Sequence, residues 1–330
     1  MAAVPQIPMR RRALRTIVAA TVASLAAVFP VRSVGLQADG DPGSVRLQAD
    51  RATVRLKPDT TNRGTSTDGG AHRIISIIPA TTEMLFAMGA GDRVVAVGSY
   101  DRFPAAVEQL PRVGALLDPN VERILSLRPD LVIVYGTQND LRTQLDRARV
   151  PYFPYVHRGL PDITQTIRAV GDRVGVSAAA KTLADGIEKQ LADVRARVAG
   201  AARPKTLLVF GRESGSLRNI EASGGVGFLH DMLETVGGID ILGDLKQQSV
   251  TLSTEVVLAR APDVILELRY ARGDTTAASD LRAWDALASV PAVKNRRVLL
   301  LQGEEFVVPG PRVGVATERL GRALHPDRFK

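Results

Sequence analysis

Two stretches of this sequence carry one pattern twice. Residues 122–136 read ERILSLRPDLVIVYG and residues 255–269 read EVVLARAPDVILELR. Glu, Leu, Pro and Asp fall at the same places in both, 133 positions apart. In each, a short helical run breaks at Pro-Asp and gives way to an apolar strand, Leu131–Val134 or Val264–Leu268. Unbroken apolar runs suit parallel strands covered on both faces, which have no solvent side for polar residues to mark. Helix, Pro-Asp, strand is a common βα idiom on its own. A second echo in the same order, MLFAMGAGD (84–92) and MLETVGGID (232–240), favours two similar lobes that differ by insertions. The chain is therefore expected to be α/β, with two Rossmann-like lobes built on central, mostly parallel sheets.

The other elements fit that plan. Arg73–Ile78, Val94–Val97 and Tyr152–Val156 read as strands of the first lobe, with Thr81–Met88 a short helix that Gly89 ends in a left-handed cap. Thr206–Phe210 and Val298–Leu301 read as strands of the second, and Gly227–Val236 as a helix stopped at Gly237-Gly238. Between them, after a Ser177 cap, apolar residues recur at Ala180, Leu183, Ile187, Leu191, Val194 and Val198. Steps of three and four mark one helical face. About 22 residues at 1.5 Å each give roughly 33 Å, enough to cross the back of both lobes as a single long backbone helix. A stiff connector of that kind implies modest lobe closure. The expected divisions are residues 72–160 for the first lobe, 161–203 for the connecting helical segment and 204–330 for the second lobe.

The first 71 residues read differently. Met1–Arg15 holds Arg10, Arg11, Arg12 and Arg15 with no acid, and an apolar run from Thr16 to Val31 follows. That is the layout of an export signal, expected over residues 1–33, or of an uncleaved N-terminal anchor. Residues 34–71 are polar, with LQAD twice and LKPD once, and read as a low-complexity tether. The expected location is periplasmic. The chain has no cysteine, so disulfides, thiolate metal sites and cysteine nucleophiles are excluded, and a lipoprotein anchor is not expected. Its net charge of +8 is concentrated in the first 71 residues, where ten Lys/Arg face five Asp/Glu; the remainder carries 33 against 30. No concentrated basic stripe is left for nucleic acid.

Catalytic constellations are missing from the pattern. The histidines His72, His157, His230 and His325 form no helical pair for a metal, and no glycine motif continues into a phosphate loop. No metal site and no enzyme cofactor are expected. Glu304 and Glu305, followed by Phe306, come after strand Val298–Leu301, where an α/β sheet places its ligand crevice. Glu122 and Glu255 each stand two residues after a candidate N-cap, Asn120 and Ser253, where the helix dipole favours an acid by about 0.3–1 kcal/mol.

The segment RIISIIPATTEMLFAMGAGDRVVAVGSYDRFP (73–104), with NVERILSLRPDLVIVYG (120–136), resembles the substrate-binding proteins of cobalamin, haem and ferric-siderophore ABC importers, most of all the cobalamin-binding type. The resemblance covers His72–Pro326. It implies a ligand cleft between the lobes and delivery to an importer's permease and ATPase by a monomer. It implies that Glu122 and Glu255, one on each lobe, dock onto permease arginines. It implies ligand contacts at Tyr100, Tyr135, Phe210 and Glu304, to which the crevice position adds Glu305 and Phe306. Leu116 and Ser249 stand where the family has aromatic walls, and Val308 where it has a ligand-contacting arginine, so this cleft is leaner in rings. The expected function is capture of a cobalamin or corrinoid-like ligand, with haem or a ferric siderophore as the alternative metal chelates. A tethered ligand sensor and a two-lobe glycosyltransferase-like enzyme are the readings from other classes.

Overall fold

The structure is a computed structural model that describes residues 33–34, 70–270 and 280–330. Apart from Ser33–Val34 and Gly70–Ala71, the expected leader and tether lie outside the described residues. Ser33–Val34 forms β1. The first sheet contains β2 (Ile74–Ser76), β3 (Val94–Val97), β4 (Leu131–Tyr135) and β5 (Tyr152–Tyr155), all parallel, in the order β3-β2-β4-β5. The second contains β6 (Lys205–Gly211), β7 (Ile220–Gly224), β8 (Ile239–Asp240), β9 (Gln247–Leu252), β10 (Val264–Arg269) and β11 (Val298–Gln302). Its order is β1-β9-β7-β6-β10-β11, with β8 also pairing β6. Here β6–β10 and β10–β11 are parallel, while β7 runs antiparallel to both β6 and β9.

The repeat read from the sequence is a repeat of structure. α1 (Pro79–Ala87) precedes α2 (Val121–Ser126), and α2 leads into β4. After α2, Arg128 takes the left-handed conformation (φ 48°), and Ala261 does the same (φ 46°) at the matching position of the second lobe. Each precedes the proline that disfavours a further helical residue. The aspartate that follows is a clamp. Asp130 accepts the N–H groups of His72 and Arg73, each at 2.8 Å, and Asp263 accepts the N–H of Lys205 at 3.0 Å. In return the Asp130 N–H donates to the Arg73 carbonyl (3.0 Å) and the Asp263 N–H to that of Lys205 (2.8 Å). The Pro-Asp pair thus ties the start of β4 to β2 and of β10 to β6. Gly89 and Gly237, both at φ 77°, end the helices of the second echo.

The connection between the sheets is two helices rather than one. α3 (Asn139–Arg147) and β5 are followed by α4 (Leu160–Arg173) and then α5 (Ser177–Val198), the 22-residue helix expected from the apolar spacing. Ser177 is its first helical residue and makes no capping bond. α5 buries Ala180, Ala184, Ile187, Leu191, Val194 and Val198, with Leu183 only half-buried. It packs on α4 on one side and, on the other, on α9 (Val313–Leu324), which follows α6 (Phe228–Thr235), α7 (Thr254–Arg260) and α8 (Pro291–Lys294) in the chain. Gly171 lets α4 and α5 touch, because a Cβ there would collide with Ala180.

One hydrophobic core runs through α4, α5 and α9 and joins both sheets, taking Leu208, Phe210, Leu266 and Leu268 from the inner face of the second. The alternation of strand side chains sends Leu207, Val209 and Ile265 to the other face, where Trp284 fills a separate core. Arg212 is not on the surface: its side chain is fully buried on that outer face, paired with Glu267 at 3.0 Å and Asp280 at 3.1 Å. Arg269 pairs with the same two acids, and Trp284 Nε1 donates to Glu267 at 2.8 Å. His325 is partly buried with Nε2 at 2.9 Å from the Val236 carbonyl.

Candidate ligand cleft and docking helices

Parallel sheets place ligands beyond the carboxyl ends of their strands. In the first lobe those ends carry the segments 98–104, 135–138 and 155–159; in the second, 210–212, 269–270 and 303–312. The two sets meet. Arg312, just before α9, donates from Nε to Glu83 Oε2 at 2.8 Å and from Nη2 to Glu83 Oε1 at 2.5 Å. Glu83 belongs to α1 and is only 3 % exposed. Burial is the largest influence on its carboxyl and raises its pKa despite the opposing guanidinium. Phe103 lies under the same guanidinium, 4.3 Å from ring centroid to Cζ. The Tyr155 hydroxyl donates to the Pro309 carbonyl at 3.5 Å, and the Leu160 N–H to Asp231 of α6 at 2.8 Å. First-lobe and second-lobe elements are stitched at several points along the floor between them.

Aromatic rings continue that floor. Tyr135 meets Tyr155 edge-on at 6.5 Å, Tyr155 stacks on His157 at 5.5 Å, and His157 meets Phe228 edge-on at 6.0 Å. Burial raises the pKa of both phenols and lowers that of His157 to about 4, so these groups are neutral hydrogen-bonding surfaces at neutral pH. Within the first lobe a hollow of about 410 Å³ is lined by Leu116, Leu117, Pro119, Thr137, Gln138 and Leu141. Tyr270, after β10, is within reach of Glu304 and Arg102; burial first, then the Glu304 charge, pushes its phenol up to about 12.

The residues singled out from the sequence divide here. Tyr100 and Tyr135 are half-buried in the first-lobe segments. Glu304 is partly exposed, 3.7 Å from Arg312. Phe210 is buried in the joint core. Glu305 is buried between Arg319 and Arg312, and Phe306 is fully buried with Arg319 stacked 4.8 Å above its ring. The last two shape the 303–312 segment from within. The sequence reading passed over Phe103, Tyr155, His157, Tyr270 and Glu83. Phe103 had a signal, an aromatic before Pro in a chain with 4 % aromatics, and at 44 % exposure it is the most open ring near the cleft.

Glu122 and Glu255 take equivalent places, each the second residue of its helix, α2 and α7, and each exposed. Asn120 caps α2 by accepting the Arg123 N–H at 2.9 Å. The Ser253 hydroxyl is the first cause of a lowered pKa at Glu255. Both acids are therefore solvent-facing carboxylates on matching corners of the two lobes. Among the described residues no group of three or more His, Asp or Glu is arranged to hold a metal ion.

Comparison with known proteins places this geometry. The signature described as "Periplasmic binding protein" matches residues 74–305. An uncharacterized ABC transporter substrate-binding lipoprotein of Bacillus subtilis, YvrC, is 24 % identical over 317 residues, covering 93 % of this chain and 98 % of its own. Among solved structures, the vitamin B12 binding protein BtuF of Vibrio cholerae superposes with a TM-score of 0.67 at 26 % identity, covering 79 % of this chain and 98 % of its own. The haem-binding protein RhuT of Roseiflexus sp. RS-1, in apo form, does so with a TM-score of 0.65 at 27 % identity, covering 78 % of this chain and all of its own.

Proposed function

Because the chain belongs to the periplasmic binding protein family, whose members serve ABC importers as solute-binding proteins rather than as enzymes, we propose that it captures a flat, corrinoid-like metal chelate between its lobes and delivers it to a permease and ATPase. The observation that carries this reading is the row of neutral rings Tyr135, Tyr155 and His157, of which Tyr135 and His157 are part-exposed and Tyr155 is buried, together with the exposed ring of Phe103 on the 98–104 segment. A flat conjugated ligand gains offset-stacking contacts of about 0.5–1.5 kcal/mol per ring from such a surface. Glu304, partly exposed at its edge, accepts ligand amides. Tyr100 bounds the space, and Phe210 supports it from the joint core. The likeness to BtuF supports a corrinoid.

Haem is the second reading. The likeness to RhuT is of the same extent, and Arg102 offers a cation to ring carboxylates. In either case Glu122 and Glu255 are the docking points. Two exposed carboxylates at equivalent sites on two lobes match a partner that presents two basic sites.

Native mass spectrometry of the protein purified from its own cells, followed by thermal-shift titration with cyanocobalamin, cobinamide, hemin and ferric siderophores, tests the ligand. A single ring chelate bound at one per chain supports the proposal. Binding of siderophores alone would replace the ring reading, and binding of none would defeat it.

A further inference from the structure

Asp101 is fully buried, yet neither of its carboxyl oxygens makes a well-formed hydrogen bond among the described residues; nor does the neighbouring Thr82 hydroxyl. The carboxyl lies against α1 and the end of β3, where Gly98 approaches it so closely that a side chain would collide with Oδ2. Every charged or titratable neighbour can be named. Glu83 on α1 is a like charge, Tyr135 at the end of β4 feels the carboxylate, and Arg112 is the single opposing cation. Arg112 is spent on the backbone: its Nη1 donates to the carbonyls of Asp101 (2.7 Å) and Gly98 (2.9 Å), and its Nη2 to that of Val107 (3.2 Å). Those bonds fasten the 98–104 segment by its main chain, while the buried acid beneath it is offset only in part, by the Thr82 hydroxyl, the Arg112 charge and the Gly98 N–H. Burial dominates, and the carboxyl is pushed up to about 7.

We propose that Asp101 is a positioning residue for the 98–104 segment, holding it most firmly when its carboxyl is neutral and loosening it as the carboxyl ionises. The segment carries Tyr100, Arg102 and Phe103, so the consequence for ligand capture rests on the cleft reading above, whereas the proton linkage does not. The sign follows from the two end states. When the segment opens, the acid meets water and returns to an ordinary value of about 3.9. Protection of the segment is therefore greatest in acid, falls between that value and neutrality, and is flat above.

Hydrogen exchange of the ligand-free full chain, with peptides covering 98–104 and rates corrected for intrinsic exchange, tests the linkage. Protection should fall by roughly fiftyfold between about pH 5 and pH 7 and then level off. Asp101→Asn, which is buried but cannot ionise, should show no such fall. Equal pH profiles in the two proteins, or a flat wild-type profile, overturn the proposal. Should Asp101→Asn fail to fold, carboxyl ¹³C titration of the native chain decides: a midpoint near neutrality supports the proposal and one below about 5 overturns it. Neither measurement uses a ligand, so a wrong ligand class leaves the result readable.

Discussion

Removing Arg312 should expose how the lobes are held together. Its guanidinium grips Glu83 through two nitrogens, at 2.8 and 2.5 Å, and Glu83 is 3 % exposed. Arg312→Met keeps much of the packing against Phe103 but leaves a buried carboxylate without its cation. Breaking a buried pair from one side costs about 3–5 kcal/mol. Arg312 itself retains 20 % of its side-chain exposure, so the lower end, about 3 kcal/mol, is expected. For a chain of this size that is a fall of about 6–12 °C in Tm. The loss should depend on pH. Without its partner the Glu83 pKa rises further above its already raised value, so in acid the group becomes neutral and the deficit shrinks. Denaturant unfolding of wild type, Arg312→Met, Glu83→Gln and the double variant at about pH 5 and pH 8 gives the coupling directly. The double variant should recover most of the loss, since a neutral pair needs no countercharge. A single variant within about 0.5 kcal/mol of wild type, or a double variant no better than Arg312→Met, would refute the reasoning.

Other expectations follow from separate contacts. Asp240 lies 3.0 Å from His230 Nδ1 and its hydrogen bond raises the histidine pKa; the resulting stability is complete below about 6.5 and lost as pH rises through the folded value. His230→Gln should therefore flatten the stability profile between about pH 6 and pH 8 in equilibrium unfolding. Gly171→Ala drives a methyl into Ala180 where α4 meets α5, and calorimetry should show a loss of about 1–3 kcal/mol. Glu122→Ala with Glu255→Ala should leave folding and ligand binding unchanged while abolishing uptake in a cell assay; normal uptake would remove both from docking.

The parts of the fold legible in the sequence were those set by local rules. The repeat was readable because a left-handed residue, a proline and a clamping aspartate must follow in that order to turn each helix into a buried strand. α5 was readable because its apolar steps had to face α4 and α9. β7 and β9 were not, because IEASG and QQSVTL are short and polar, even though their antiparallel partners lie close by in the chain. The ring row was only partly legible. Tyr135 and Tyr155 meet because β4 and β5 pair in register, and His157 follows two residues on, whereas Phe228 reaches them only across the lobes. Arg212 and Trp284 are a further instance: nothing local in the sequence shows that Glu267 and Asp280 bury and pair them in the outer core. Trp284 emission is accordingly a poor reporter of the cleft.

The central claim is that a flat metal chelate stacks between the lobes on the rings presented there. Titration calorimetry with cobinamide, cyanocobalamin and hemin, on wild type and on the Phe103→Ala plus Tyr135→Ala variant, measures it directly. One ring chelate should bind per wild-type chain, and affinity should be at least about tenfold weaker in the variant, the equivalent of about 1.4 kcal/mol of lost stacking. Undiminished binding in the variant, or no heat from any ring chelate, would contradict it.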